Sequence, residues 1–268
     1  MLRGSSRVGW TPTQPGVSGN ESSRCKGEKL KALSVPFQDD MDRFVVKLGG
    51  SLLFEKNGSL RIDFIQRFLD ILREPSVREK KTVVVVGGGA TARQYINCAR
   101  GSVLNESALD QLGILASRLN ASLLYTMFYN AFPTVPSTLE ELARMYASNM
   151  PVLFMGGLQP GQSTTTVSAL VAEATGSGLI IATDVEGVYT ADPKKDPNAK
   201  LLESVSVEKL IEVFSNVQKA GEYRLLDLLT LQIIKRSKIP VRVVKGDPPE
   251  NIKRVIRGES IGTIITSL

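Results

Sequence analysis

A lysine followed by two glycines stands at the end of an apolar run: the chain reads VVKLGGSLL from Val45 to Leu53. A charge at the end of a buried strand, then residues without side chains, supplies what a phosphate needs. The ammonium offsets negative charge, and glycine lets backbone N–H groups approach an oxygen closely. The order of the parts excludes the P-loop, whose lysine closes a longer glycine loop. Two more apolar runs end in the same way. VVVVGGGATAR carries Gly87, Gly88 and Gly89 and then Arg93, whose rigid fork matches a phosphate. LFMGGLQPGQSTTT carries Gly156 and Gly157 and then Thr164 and Thr165, whose N–H groups and hydroxyls at a helix start suit an anion. Each piece alone has a plainer reading: a solvated lysine beside a turn, or threonines that simply cap a helix. Three glycine-ended strands in one chain imply an extended anion cleft.

Composition narrows the chemistry further. The 268 residues contain no histidine, which removes Ser-His-Asp and Cys-His triads and histidine zinc sites. Catalysis must therefore rest on charge, positioning and carboxylates. Two cysteines, Cys25 and Cys98, are too few for a disulfide framework or a cysteine metal cluster, and as free thiols they suit a reducing, cytoplasmic interior. No apolar run approaches the roughly 18 residues of a membrane helix. The net charge of +6 allows an anionic partner, but no nucleic-acid-binding signature accompanies it, so a solvated basic surface is the expectation.

The elements that must position these residues alternate along the chain. Strands are expected at 44–48, 82–86, 152–155, 179–183, 241–244 and 261–265. Helices are expected at 60–73, 108–124, 137–148, 164–175, 205–214, 225–237 and 249–257. In the first helix Ile62, Phe64, Ile65, Phe68, Leu69 and Leu72 form the apolar face. Ser137 and Glu140 read as a capping box, Asp227 as the residue opening a helix at Leu228, and 186–192 as a turn. The pattern implies a largely parallel sheet covered by helices on both faces, with ligands at the carboxyl ends of its strands. Residues 1–40 differ. They are rich in Gly, Ser, Pro and Thr without apolar period, so disorder is expected, with Met41 as the natural start. An organelle transit segment is the other reading, though a clear amphipathic period is lacking.

The segments VVKLGGSLL, VVVVGGGATAR, MGGLQPGQSTTT and ATDVEGVYTADPKKDPNAK resemble the amino acid kinase superfamily. Within it, ALDQLGILASRLNA and GLQPGQSTTTVSALVAEA look like archaeal-type uridylate kinases. The resemblance covers 41–268. It implies a three-layer α/β/α sandwich around a long, mainly parallel sheet, with an acceptor-binding half at 41–155 and an ATP-binding half at 156–268. It implies transfer of the γ-phosphoryl group of ATP to UMP with Mg²⁺, in pyrimidine nucleotide biosynthesis, by a cytoplasmic homo-hexamer.

Lys47 and Asp227 are then the catalytic candidates. Lys47, Gly49, Gly50, Ser51, Thr183, Asp184, Tyr189 and Asp192 fall to ATP. Gly87, Gly88, Gly89, Arg93, Asp110, Gly156, Thr164 and Thr165 fall to UMP, with Asp110 on the ribose hydroxyls. No residue is assigned to a metal. For Tyr189 a half-buried core role stays open, and for Asp110 and Asp227 a capping role.

Two positions depart from the pattern. Thr166 stands where many uridylate kinases carry an aspartate, which leaves the organising carboxylate unassigned. Asp184 stands where some members carry a lysine, so a second phosphate lysine is unassigned, with Lys194 and Lys195 candidates by proximity. Isopentenyl phosphate kinases resemble the chain but depend on a histidine it lacks. Acetylglutamate and glutamate kinases lack the ALDQLG and GLQPGQS segments, and aspartokinases usually carry C-terminal regulatory domains. A non-catalytic ATP- and oxoanion-binding storage or scaffold relative is the alternative from another class.

Overall fold

The computed structural model describes residues 41–102, 105–191, 193, 196–216 and 226–267. Residues 1–40, Asp192, Lys194 and Lys195 lie outside them, so the expectations placed there are neither met nor overturned.

The β-branched runs become the strands of one sheet. They are β1 (Arg43–Leu48), β2 (Lys81–Val86), β3 (Val152–Met155), β4 (Gly178–Thr183), β5 (Ser204–Ser206), β6 (Val241–Lys245) and β7 (Thr263–Thr266), in the order β3-β2-β1-β4-β6-β7-β5. Every neighbouring pair is parallel except β6 and β7. The central strands read as continuous apolar runs because both of their faces are covered. Phe44, Val46 and Leu48 join one core layer with Val84, Phe154 and Ile180. Val45 joins the other with Val83, Leu153, Leu179 and Ile181. That is the α/β/α sandwich the sequence implied.

The helices are α1 (Ile62–Arg73), α2 (Pro75–Arg78), α3 (Gly89–Ala99), α4 (Glu106–Tyr129), α5 (Leu139–Tyr146), α6 (Thr164–Thr175), α7 (Val207–Asn216), α8 (Leu228–Ser237) and α9 (Glu250–Ile256), with a 3₁₀ turn at Gly50–Leu53. On α1 the apolar face forms as expected except at Ile62, which is 53% exposed at the first turn. The capping box moves by one residue. Thr138, not Ser137, caps α5 by accepting from the Glu141 N–H, and the Glu141 carboxylate reaches back to the Ser137 N–H at 2.7 Å.

The helix expected at 205–214 starts later because 204–206 pairs with β7 as an edge strand. Three residues carry too little period to announce a strand. The last strand begins at Thr263, after Gly262 turns at φ +69 and directs β7 antiparallel to β6.

Candidate phosphoryl-transfer site

From β1 the chain runs outward through β2 to β3, then crosses back to lay β4 on the other side of β1. β1 is thus the topological switch strand, and its carboxyl end is where open α/β sheets bind ligands. Lys47 is the next-to-last residue of β1, between Val85 of β2 and Ile181 of β4. Period-two alternation puts its side chain on the face of Val45 rather than of Val46. The ammonium lies back over the following turn, 3.7 Å from where a Cβ on Gly49 would stand. Burial pushes its pKa down to about 8, while the Asp184 carboxylate pulls it the other way.

The first two glycine turns pack directly against each other. A Cβ on Gly50 would lie 2.2 Å from the Gly89 nitrogen, and one on Gly87 would lie 2.7 Å from the Gly50 nitrogen. Both distances are far inside van der Waals contact with backbone, so no larger residue fits without parting the two turns. Gly89 itself sits at φ +62, left-handed backbone that favours glycine. It opens α3, whose first N–H groups have no partner within the helix and carry the positive end of its dipole. One turn on, exposed Arg93 shares with Ser51 the lining of a cavity of about 390 Å³, together with Lys56, Asn57, Gln94 and Asn97.

The third glycine turn, after β3, is held by α4. Gly156 and Gly157 are there for close packing: a Cβ on Gly156 would lie 2.6 Å from the Arg118 nitrogen, and one on Gly157 3.0 Å from Ile114. Ser117 accepts from the Gly157 N–H at 2.7 Å, and the Arg118 guanidinium donates to the carbonyls of Gly157, Leu158 and Ser137. Asp110, also on α4, accepts from the Gly161 N–H at 2.8 Å. Asn120 reaches the other loop, donating to the carbonyls of Gly87 at 2.9 Å and Gly88 at 3.2 Å. Sequence reasoning missed Ser117, Arg118 and Asn120. Their signal was polar residues inside the apolar stripe of LASRLNA, which an amphipathic reading assigns to the solvent side.

Ser163, not Thr164, is the residue that caps α6, accepting from the Thr166 N–H at 3.0 Å. Thr164 and Thr165 therefore occupy the first two helical positions, where N–H groups have no intrahelical partner. Asp227 caps α8 through the Thr230 N–H at 2.8 Å, as expected. Its carboxylate also accepts from Ser163 Oγ at 2.5 Å and from Thr166 Oγ1 at 2.9 and 3.0 Å. One carboxylate thus ties the starts of α6 and α8 together.

On the other side of the switch, Ala182 at the end of β4 faces Leu48 and accepts from the Gly49 N–H at 3.1 Å. Buried Thr183 donates to the Asp184 carboxylate at 3.2 Å, and Tyr189 pairs with Leu201 in an isolated antiparallel bridge. Lys245, at the end of β6, holds Glu186 at 2.9 Å. The fold therefore gathers Lys47, Gly49 to Ser51, Gly87 to Gly89 and Arg93 at the switch point. Thr183 and Asp184 stand at the end of the neighbouring strand.

A basic residue at the switch strand, flanked by glycine turns in mutual contact and uncapped helix N–H groups, defines an α/β protein that handles phosphate. Residues 42–245 match the amino acid kinase family, and the chain belongs to that family. It is similar to the uridylate kinase of Thermofilum pendens, 56% identical over 223 residues, which are 82% of this chain and 96% of that one. The uridylate kinase of Hyperthermus butylicus is 45% identical over 83% of this chain and 97% of its own. The crystal structure of uridylate kinase from Archaeoglobus fulgidus superposes with a TM-score of 0.71 at 37% identity, covering 83% of this chain and 99% of that one.

Proposed function

We propose that the chain is an ATP-dependent UMP kinase, which transfers the γ-phosphoryl group of ATP to a UMP phosphate oxygen and yields UDP. The observation that carries this reading is Lys47, an ammonium at the switch point beside two glycine turns packed too closely for any other residue. The similarity to archaeal uridylate kinases supports the choice of acceptor. The half at 41–155 supplies most of the UMP site and the half at 156–268 the ATP nucleoside site, with the turn after Lys47 reaching the ATP phosphates and the start of α6 reaching UMP.

Phosphoryl transfer between two polyanions is a problem of positioning and charge neutralisation. An acceptor phosphate oxygen is already ionised, so no general base is required, in keeping with a chain that has no histidine. Lys47 offsets the charge that grows on the equatorial oxygens of the moving group. A well-placed donor of this kind contributes about 3–4 kcal/mol in comparable sites. Gly49, Gly50 and Ser51 present backbone and hydroxyl donors to the ATP phosphates. Thr183, Asp184, Tyr189 and Asp192 hold the ATP nucleoside.

Gly87 to Gly89, the start of α3 and Arg93 grip the UMP phosphate. Gly156, Thr164 and Thr165 complete that side, and Asp110 exchanges its bond to Gly161 for the ribose hydroxyls. Asp227 serves as the organising carboxylate, because Thr166 occupies the position of the missing aspartate and its hydroxyl is bonded to both Asp227 oxygens.

Among the described residues no three His, Cys, Asp or Glu side chains gather to hold a metal. Mg²⁺ would arrive on the nucleotide phosphates and would supply further charge neutralisation there. We assign the enzyme to pyrimidine nucleotide biosynthesis in the cytoplasm, as a homo-hexamer.

The test is steady-state kinetics with ATP·Mg²⁺ and UMP. Lys47→Ala should lower kcat by about 100-fold or more with little change in the KM for UMP, because the lysine acts in the transition state. Arg93→Ala should instead raise the KM for UMP. Normal kcat for Lys47→Ala, or unchanged UMP saturation for Arg93→Ala, would refute the assignment.

A further inference from the structure

The two loops that receive the acceptor phosphate come from different strands, yet one helix holds both. Asn120 is 4% exposed and Ser117 1% exposed, so neither is a surface polar residue. The Asn120 amide donates to the Gly87 and Gly88 carbonyls. In a trans peptide the carbonyl and the next N–H point in opposite directions. Fixing those two carbonyls toward α4 therefore turns the N–H groups of Gly88 and Gly89 away from α4. The nitrogen of Gly89 is the atom that a Cβ on Gly50 would meet first, so the Gly89 amide nitrogen stands against the turn that follows Lys47.

One turn earlier on the same helix, Ser117 accepts from the Gly157 N–H and donates to the Ile114 carbonyl, both at 2.7 Å. Arg118 clamps the carbonyls of Gly157 and Leu158.

We propose that Asn120 and Ser117 are positioning residues of the acceptor site: through them α4 sets the direction of the phosphate-binding N–H groups after β2 and the spacing of the β3–α6 loop opposite. Neither residue touches the nucleotide. Their bonds act first on the acceptor side: among the described residues no hydrogen bond of Asn120, Ser117 or Arg118 reaches the ATP-side strands β4 and β6, and the Gly50 turn feels them only through its packing against Gly87 and Gly89. This rests on the kinase reading given above.

The test measures KM for UMP and for ATP separately in the full chain and in Asn120→Leu, Asn120→Asp and Ser117→Ala, alongside melting temperatures. Asn120→Leu, which keeps size and removes the donor, should raise the KM for UMP by about 10- to 100-fold and leave the KM for ATP within about twofold. Asn120→Asp turns a carboxylate on two carbonyls at neutral pH. On protonation it regains an O–H donor, so its KM for UMP should move toward that of the unaltered chain as pH falls, while Asn120→Leu does not. Ser117→Ala should raise the KM for UMP less, since its hydroxyl serves one amide of the loop, and it carries the test if Asn120→Leu fails to fold.

Equal rises in both KM values, or an Asn120→Leu enzyme with unchanged UMP saturation, would overturn the proposal. Failure of the unaltered chain to use UMP would instead contradict the kinase reading. The rise in melting temperature produced by UMP, compared across the same variants, would then decide the positioning role without turnover.

Discussion

Lys47 carries opposite consequences for stability and for catalysis. Its ammonium is depressed from 10.5 to about 8 by burial. Below pH 8 both the folded and unfolded chains carry the charge, and the fold bears the full cost of burying it. Between about 8 and 10.5 only the unfolded chain stays protonated, so this residue's contribution to stability rises with pH. Lys47→Met should therefore be more stable than the unaltered chain at pH 7, by about 1–3 kcal/mol given partial solvent access. The gain should shrink as pH rises toward 10, as urea unfolding at several pH values will show. In the unaltered enzyme kcat/KM should fall as pH rises through about 8, because the free enzyme loses the charge there. A variant less stable at pH 7 would mean that the charge is not strained in the fold. The lysine and its glycines were legible in the sequence because each departs from what a plain strand end needs. The reason Gly50 must be glycine was not, since the clashing atom belongs to Gly89, 39 residues away.

At the scale of elements, the starts of α6 and α8 are joined by Asp227, Ser163, Thr166 and Thr230. Removing the carboxylate in Asp227→Ala takes away a helix cap and two hydroxyl partners, a loss of about 2–4 kcal/mol. Thr166→Asp, which places at this position the aspartate that the family resemblance leads one to expect, should also destabilise this chain, because it sets one carboxylate against another. Combining it with Asp227→Asn should recover much of that loss, and denaturant midpoints of the single and double variants measure the coupling. Additive losses would show that the two positions do not interact.

Long elements were readable from period and caps: α6 begins and ends where the sequence placed it, and Asp227 opens α8 as expected. Elements without a strong apolar face were not. No residue of α3 is fully buried, and β5 exists only because β7 offers it an edge. The role of Ser117 and Asn120 was hidden for a related reason. Buried polar residues are informative only once their partners are known.

At the scale of the molecule, the order β3-β2-β1-β4-β6-β7-β5 makes β1 the boundary between an N-terminal and a C-terminal set of strands. Alternating strand and helix signals announced the sandwich but could not give that order, which depends on the crossover back past β1 and on β5 being laid outside β7 before β6 returns to pair with β4. The same helix that orients the acceptor loops presents Leu115 and Leu119 outward, 53% and 63% exposed and one turn apart. An exposed apolar stripe of this kind suits contact with another copy. In the proposed hexamer, Leu119→Glu should reduce the molecular mass seen by light scattering without lowering the melting temperature of the subunit. An unchanged mass would remove this stripe from the interface.

The most direct measurement is ADP release with ATP·Mg²⁺ against UMP, CMP, AMP, GMP, isopentenyl phosphate and acetylglutamate, using the full chain and one begun at Met41. The account predicts turnover with UMP far above every other acceptor, equal in both chains. Tight ATP binding with no turnover on any acceptor would contradict it and leave a nucleotide-holding scaffold on a kinase fold.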